Sequence, residues 1–130
     1  MAKSRTKTKP TRPTDAELEI LRVLWRLGPS TVRQVHEAMN AGQKRTAFNT
    51  TLKMLHIMFE KRLVSREDIR RPHVYQAVLP EARMQQQLVS DLLTRAFGGA
   101  ARKLVAALTA TGISRKEMAE IRRLLNEHKE

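Results

Sequence analysis

The polar side chains between about residues 46 and 62 have the types and the spacing to do chemistry. On a helix turning about 100° per residue, one side collects polar groups and the other collects apolar ones. The polar side holds Thr46, Asn49, Thr50, Lys53 and Glu60, with His56 at its edge. The opposite side, expected to pack on the preceding helices, holds Phe48, Thr51, Leu52, Leu55, Met58 and Phe59.

This polar side suits hydrogen bonding to nucleic-acid bases. Asparagine and lysine can reach base edges in the major groove, and threonine can offer either a hydroxyl or a methyl group. Lys44 and Arg45 stand just before the segment, where the helix N-terminus also favours phosphate. The pattern therefore indicates noncovalent recognition of DNA, and the alternative is an ordinary solvated helix face.

Groups for catalysis or metal binding are sparse in this chain. The run His36-Glu37-Ala38-Met39-Asn40 begins like a zinc-protease helix but has Asn where the second His is required. The 4 histidines are scattered, and there is no cysteine, which excludes disulfides, thiolate metal sites and cysteine nucleophiles. We therefore expect no enzymatic activity, no metal and no cofactor.

The charge of the chain predicts a polyanionic partner. Its 130 residues include 25 Lys and Arg against 13 Asp and Glu, a net charge of +12. Residues 1–13 hold five basic residues and no acid, which predicts a disordered basic arm that either aids solubility or adds phosphate affinity. No apolar run approaches the roughly 18 residues of a membrane span, and the basic N-terminus lacks the apolar stretch of a signal peptide. A cytoplasmic protein without membrane insertion is expected.

Helix caps and turn residues divide residues 14–80 into three helices and a hairpin. A capping box over Thr14–Glu17 opens the first helix and Gly28-Pro29 ends it. Ser30 is the predicted N-cap of the second helix, and the third runs from about 46 to 62. Two strands, 64–68 and 73–79, follow with Ile69–Pro72 as their loop. This order predicts a winged helix, a helix-turn-helix followed by a two-stranded ribbon.

The hairpin loop carries two adjacent arginines, Arg70 and Arg71, at its tip. In a basic domain with a polar third helix, these side chains are expected to contact the DNA backbone; the alternative role is solubility. The predicted DNA-binding residues are therefore Lys44, Arg45, Thr46, Asn49, Thr50, Lys53, Arg70 and Arg71.

Residues 81–130 predict a helical region that cannot close a core alone. Gly98-Gly99 and Gly112 break it into three helices, and Ser114–Glu117 forms a second capping box. Their apolar stripes require a partner surface, which favours dimerisation over folding back on the winged helix. The predicted dimer residues are Leu88, Val89, Leu92, Leu93, Phe97, Leu104, Leu108, Met118, Ile121 and Leu125. The predicted fold is mainly α with a small β-hairpin.

Three stretches resemble a known family of regulators. Residues 47–55 (AFNTTLKML) and 60–64 (EKRLV) resemble the recognition-helix segment of the penicillinase-repressor family (BlaI/MecI/CopY type), and residues 17–25 (ELEILRVLW) resemble its first helix. The break at Phe97-Gly98-Gly99 matches its C-terminal half, so the resemblance covers about residues 14–128. It implies a winged-helix repressor, a dimer joined by the C-terminal helices, and a dyad-symmetric operator. It places Asn49, Thr50 and Lys53 on the base-facing side.

Departures from the family pattern limit what the resemblance implies. The family usually has Arg where Ile57 stands and Gly where Arg62 stands. The absence of cysteine excludes copper sensing through thiolates. The β-lactam-responsive members are inactivated by cleavage at an Asn–Phe bond, where this chain has Ala106-Ala107. A membrane sensor protease therefore remains a candidate partner without support from these residues.

The sequence thus predicts a homodimeric, sequence-specific DNA-binding repressor. One alternative is a basic nucleic-acid or ribosome-associated protein that binds without choosing a sequence. The other is a winged helix used as a protein-interaction module.

Overall fold

The computed structural model describes residues 12–42 and 45–128 of the chain. The basic arm, apart from Arg12 and Pro13, and the predicted DNA contact Lys44 lie outside the described residues. In chain order the elements are α1 (Asp15–Leu27), β1 (Ser30–Thr31), α2 (Val32–Met39), α3 (Phe48–Glu60), β2 (Val64–Glu67), β3 (Val74–Ala77), α4 (Glu81–Phe97), α5 (Ala101–Ala110) and α6 (Arg115–Glu127).

The chain forms two compact units whose boundary lies within α4, between Gln86 and Gln87. The first unit therefore extends six residues past Pro80, where the sequence places the end of the winged helix. Met84, from the first turns of α4, is only 3% exposed, so the start of this helix belongs to the packing of the first unit.

The sheet of the first unit has three strands rather than the predicted two. Its order is β1-β3-β2 and both pairings are antiparallel. Ser30 pairs with Tyr75 and Thr31 pairs with Val74. The prediction of Ser30 as the N-cap of α2 is therefore wrong: Thr31 is the N-cap and forms a capping box with Gln34. The order of helices and strands is that of a winged helix, as predicted.

The core of the first unit lies where α1, α2, α3 and the sheet meet. Ile20, Leu21, Val35, Leu55 and Met58 are each completely buried, and they recur at the helical spacing that the sequence predicts. Trp25 is half-buried at the edge of this core, and its indole Nε1–H donates to the carbonyl of Leu79 at 3.0 Å.

A partly buried ion pair joins the start of α1 to the end of α3. Glu17 Oε1 accepts from Lys61 Nζ at 2.7 Å and from the Thr14 backbone N–H at 2.9 Å. Burial alone would raise the pKa of Glu17, but the hydrogen bonds from Lys61 and Thr14 and the Lys61 charge outweigh it and lower the pKa below its usual value. The capping box predicted from sequence is thus also part of a tertiary contact.

Helix α3 ends in a left-handed turn at Arg62, whose φ is 67°. The Arg62 N–H donates to the Phe59 carbonyl at 3.1 Å and the Leu63 N–H donates to the Met58 carbonyl at 2.9 Å. These two bonds form a Schellman motif, in which the left-handed position usually holds glycine. The turn directs Leu63 and Val64 into the core, where each is 1% exposed.

Replacing Arg62 by glycine is expected to raise the free energy of unfolding by about 0.5–1 kcal/mol. Relief of left-handed strain, about 1–2 kcal/mol, exceeds the extra chain entropy that glycine loses on folding, about 0.5–1 kcal/mol. Urea denaturation of Arg62→Gly against wild type measures the difference. Glu60→Gly, two residues earlier within the helix, should instead destabilise; equal destabilisation by both substitutions would contradict the assignment.

The second unit, described by itself, has apolar helices without a buried interior. Residues 87–128 include no buried side chain. The apolar side chains most exposed in this unit are Val89, Leu92, Val105, Leu108, Leu124 and Leu125, between 44% and 64%. Ser114 caps α6 by accepting from the Glu117 N–H at 3.1 Å; this is one half of the predicted capping box, and the return bond from the Ser114 N–H to the Glu117 side chain is absent among the described residues. The helices form by local sequence, but this unit alone does not cover their apolar stripes.

Candidate nucleic-acid interface

Helix α3 presents a polar face on the side away from the core. Asn49, Thr50 and Lys53 are exposed, whereas Thr51 and Leu55, on the opposite side, are completely buried. In the part of the chain that the structure describes, the Asn49 and Lys53 side chains have no hydrogen bond or ion pair. They are therefore available to a ligand without first breaking an internal contact.

The bounds and sides of α3 differ from the prediction in three respects. The helix begins at Phe48 rather than near 46, and its N-cap Ala47 makes no side-chain hydrogen bond to the first turn; Thr46 and Arg45 therefore precede the helix. Leu52, assigned to the packing side, is 42% exposed. His56, assigned to the edge, is fully on the exposed side, with 59% of its side chain exposed and Nε2 lying 3.8 Å from Glu60 Oε2.

The loop that leads into α3 is fixed by Asn40, a residue that the sequence patterns do not assign to the site. Asn40 Oδ1 accepts from the Thr46 N–H at 2.7 Å, and Asn40 Nδ2 donates to the Thr46 carbonyl at 3.0 Å. One amide thus holds both backbone groups of Thr46, and so positions the residue that directly precedes the N-cap of α3.

The wing is the β2–β3 hairpin with its loop, residues 68–73. Arg66 Nε donates to Asp68 Oδ1 at 2.6 Å, and His73 Nε2 lies 3.7 Å from the same oxygen. Glu67 Oε2 lies 3.5 Å from Arg70 Nε. The hydrogen bond to Asp68, with a smaller contribution from Tyr75, raises the pKa of Arg66. Both acids of the wing are therefore matched by basic groups within the wing itself.

The wing tip, residues 69–71, is exposed to solvent. Arg70 and Arg71, both predicted to lie there, are exposed, and Arg71 has no ion pair among the described residues. Ile69 is 90% exposed beside them. The tip thus offers cationic and apolar surface together.

An open groove of about 370 Å³ separates the wing from the helices. The Arg33 guanidinium lies 5.3 Å from the centre of the Phe48 ring at its wall. Four elements (β1, α2, α3 and β3) and the wing loop contribute to its lining, which consists of Thr31, Val32, Arg33, Phe48, Leu52, Pro72, His73 and Tyr75. A polar helix face, a basic wing and the groove between them form one surface of the first unit.

The described residues contain no group of three or more His, Asp or Glu side chains placed to hold a metal. The exposed amide, ammonium and guanidinium groups of α3 and the wing give this surface the chemistry of noncovalent recognition through hydrogen bonds and positive charge. Comparison with known proteins identifies what kind of protein carries it. The family model described as Penicillinase repressor matches residues 13–127.

The chain belongs to the penicillinase-repressor family.

Two similar proteins are those named Transcriptional regulator BlaI from Mycobacterium tuberculosis strains CDC 1551 / Oshkosh and ATCC 25618 / H37Rv. Each is 32% identical over 120 residues, which span 92% of this chain and 86% of the relative. A solved structure of Bordetella bronchiseptica BpsR, whose DNA binding is regulated by 6-hydroxynicotinic acid, is 19% identical with a TM-score of 0.47, covering 91% of this chain and 76% of that one.

Membership in the penicillinase-repressor family confirms the predicted class of function. The chain is a transcriptional repressor with DNA binding, and its named relatives are transcriptional regulators rather than enzymes. Among the described residues, no helix combines the length and the apolar character needed to cross a membrane.

Neither the penicillinase-repressor resemblance nor the residue patterns point to Asn40 or Ile69. Asn40 follows a helix and the sequence indicates only that the helix ends there, because a bond to Thr46 depends on how the loop folds. Ile69 is predicted only as part of the hairpin loop, although an isoleucine among turn residues is a signal that could have been used.

Proposed function

We propose that this protein is a homodimeric, sequence-specific repressor that binds a dyad-symmetric operator through α3 of each protomer. The observation that carries the proposal is the exposed polar face of α3 near a basic wing, where the Asn49 and Lys53 side chains have no partner among the described residues. Family membership supplies DNA binding; the residues and the assembly are the proposal.

Asn49 and Lys53 read base edges in this proposal, and Thr50 contributes at the flank of the same face. Asparagine pairs with adenine and lysine pairs with guanine through their major-groove atoms. Arg45 is exposed two residues before the N-cap of α3, where it can reach a phosphate, and Lys44, its neighbour in sequence, is assigned the same role. Thr46, whose backbone is held by Asn40, fixes the position of the chain between these phosphate contacts and α3.

The two wing arginines, Arg70 and Arg71, supply charge rather than sequence choice. Arg70→Ala combined with Arg71→Ala is expected to weaken binding to operator and to random DNA alike. The slope of log affinity against log salt should flatten by about 0.9 for each phosphate that the variant no longer neutralises. Equilibrium titrations across a salt series measure the slope.

Arg22→Ala with Arg26→Ala is the matched control for the wing. It removes the same charge from exposed positions on α1 and should leave the salt slope unchanged. If the wing variant also leaves the slope unchanged, the wing does not touch the backbone.

The second unit joins two protomers in this proposal. Its exposed apolar side chains form stripes, whereas the surface of a monomer usually carries only scattered apolar residues. A two-fold partner using the same surfaces would bury these stripes. The residues assigned to this contact are Leu88, Val89, Leu92, Leu93, Phe97, Leu104, Leu108, Met118, Ile121 and Leu125. The dimer would present two copies of α3 to half-sites about one helical turn apart, or a multiple of it.

A membrane sensor protease is a further candidate partner for release of the repressor. Ala106 and Ala107 occupy the position of the family's cleavage bond and are exposed on α5. Cleavage there would require local unwinding of α5, because a protease binds its substrate in an extended form.

Selection from a random DNA pool with the full chain tests the proposal as a whole. A sequence-specific dimer should enrich a two-fold symmetric motif and keep its preference against excess bulk DNA. Enrichment of no motif would favour the basic, non-specific nucleic-acid binder. No DNA binding at physiological salt would favour a protein-interaction module.

A further inference from the structure

The tip of the wing carries an apolar side chain with no role in the fold. Ile69 is 90% exposed, more than any other large apolar side chain among the described residues. It lies between Asp68 and Arg70, in the loop that joins β2 to β3. Packing therefore does not explain an isoleucine at this position.

Charges around Ile69 are arranged so that the tip is electropositive. The carboxylate of Asp68 is held by Arg66 and faces His73, and that of Glu67 faces Arg70. Arg71 has no such partner in the described part of the chain and is exposed. The tip thus combines an exposed isoleucine with an uncompensated guanidinium.

The wing also holds its tip firmly enough to direct it. Strands β2 and β3 pair over four positions, from Val64 with Ala77 to Glu67 with Val74. The Arg66 guanidinium lies 4.2 Å from the centre of the Phe59 ring on α3, so the hairpin is fastened to the recognition helix itself. A wing fixed in this way follows α3 when α3 docks.

We propose that the wing tip inserts Ile69 into the minor groove of operator DNA, with Arg71 at the groove edge. The inference rests on the proposed function and adds to it a specific contact. A narrow minor groove attracts arginine through its negative potential. Apolar side chains inserted there wedge between base steps and partly unstack them. The step that receives Ile69 is therefore favoured when it opens easily, as pyrimidine–purine steps do.

The test uses the full chain and the duplex recovered by selection, with 2-aminopurine placed in turn at each flanking step. Wild type should raise 2-aminopurine fluorescence at one flanking step, because unstacking relieves quenching. Ile69→Ala should abolish that rise and weaken binding about ten-fold, with the salt slope unchanged since no charge is removed. Ile69→Leu, which keeps the apolar bulk, should retain both the rise and the affinity.

Val78→Ala is the matched control. Val78 is 47% exposed and follows β3 at the opposite end of the hairpin, so its truncation should change neither signal. Equal affinity and equal fluorescence for wild type and Ile69→Ala would overturn the inference, and so would a flattened salt slope for Ile69→Ala. Failure of wild type to bind any selected duplex would instead refute the proposed function.

Replacing guanine by inosine at the flanking step shows whether Ile69 enters the minor groove or the major groove. Inosine removes the guanine amino group from the minor groove and leaves the major-groove edge intact. Wild type should bind the inosine duplex more tightly than the guanine duplex, whereas Ile69→Ala should bind both equally. The same preference in both proteins would place Ile69 outside the minor groove and overturn the inference.

Discussion

Leu92→Asp together with Leu125→Asp is expected to yield a monomer whose affinity for the full operator is about 10²–10⁴-fold weaker. Joining two binding modules makes the second contact intramolecular, and this gain disappears when the modules separate. Leu92 and Leu125 are 47% and 64% exposed in the single chain, so the substitutions spare its own packing. In a dimer contact, each would bury an unpaired carboxylate. Sedimentation at micromolar concentration and titration of full and half operators measure the two effects.

Thr94→Asp is the control for this dimer test. It adds the same charge to an exposed position on the other side of α4, so it should leave the dimer and its operator affinity unchanged. The wild-type chain sedimenting as a monomer, or the double variant remaining a dimer, would eliminate the proposed contact. The first result would favour a larger monomer in which the C-terminal helices fold back.

Asn49→Ala and Lys53→Ala are each expected to cost about 1–3 kcal/mol at the operator, the range for a good bidentate base contact. Both side chains lack internal partners among the described residues, so truncation should leave the fold intact. Asn49→Ala should barely change affinity for random DNA, because asparagine carries no charge. Titration of each variant against operator and random duplexes gives the two free energies.

Arg26→Ala supplies the comparison for Lys53→Ala. It removes one positive charge from an exposed position on α1 and should affect both duplexes slightly and equally. If Asn49→Ala and Lys53→Ala also weaken binding to operator and random DNA equally, these residues contact the backbone and the assignment of base reading is wrong.

Elements whose signals are local were predictable from the sequence. The Thr14 capping box and the stop at Gly28 bound α1 as expected, because both depend on neighbours within a few residues. The hairpin followed from two short strands separated by charged residues and Pro72. The exposed side of α3 followed from helical periodicity, which fixes which residues share a face.

What depends on distant pairing was not predictable. Strand β1 has two residues and exists because Ser30 pairs with Tyr75, 45 positions later in the chain; no periodicity can develop over two residues. The exposure of Leu52 depends on where the groove lies beside α3. The role of Asn40 depends on how the following loop folds, because that fold brings the Thr46 backbone to the Asn40 side chain.

The left-handed backbone at Arg62 was predictable from the family resemblance, but not from the residue type. The resemblance indicates that glycine usually occupies this position, and the structure gives Arg62 a φ of 67°. The left-handed backbone at this position was therefore predictable from the family resemblance, although arginine itself gives no sign of it. Arginine accepts the left-handed conformation here because both Schellman bonds and the burial of Leu63 stabilise the turn.

Thr31 belongs to the sheet and to helix α2 at once. Its backbone pairs with Val74 of the wing, and its side chain caps the helix by accepting from the Gln34 N–H at 3.2 Å. No flexible residue separates the two roles, so lengthening the chain here would shift the wing register or remove the cap. The loop at 68–73 has no such double attachment. Homologous chains can therefore vary in length at the wing tip, whereas insertions and deletions around residues 30–31 should be absent from working repressors.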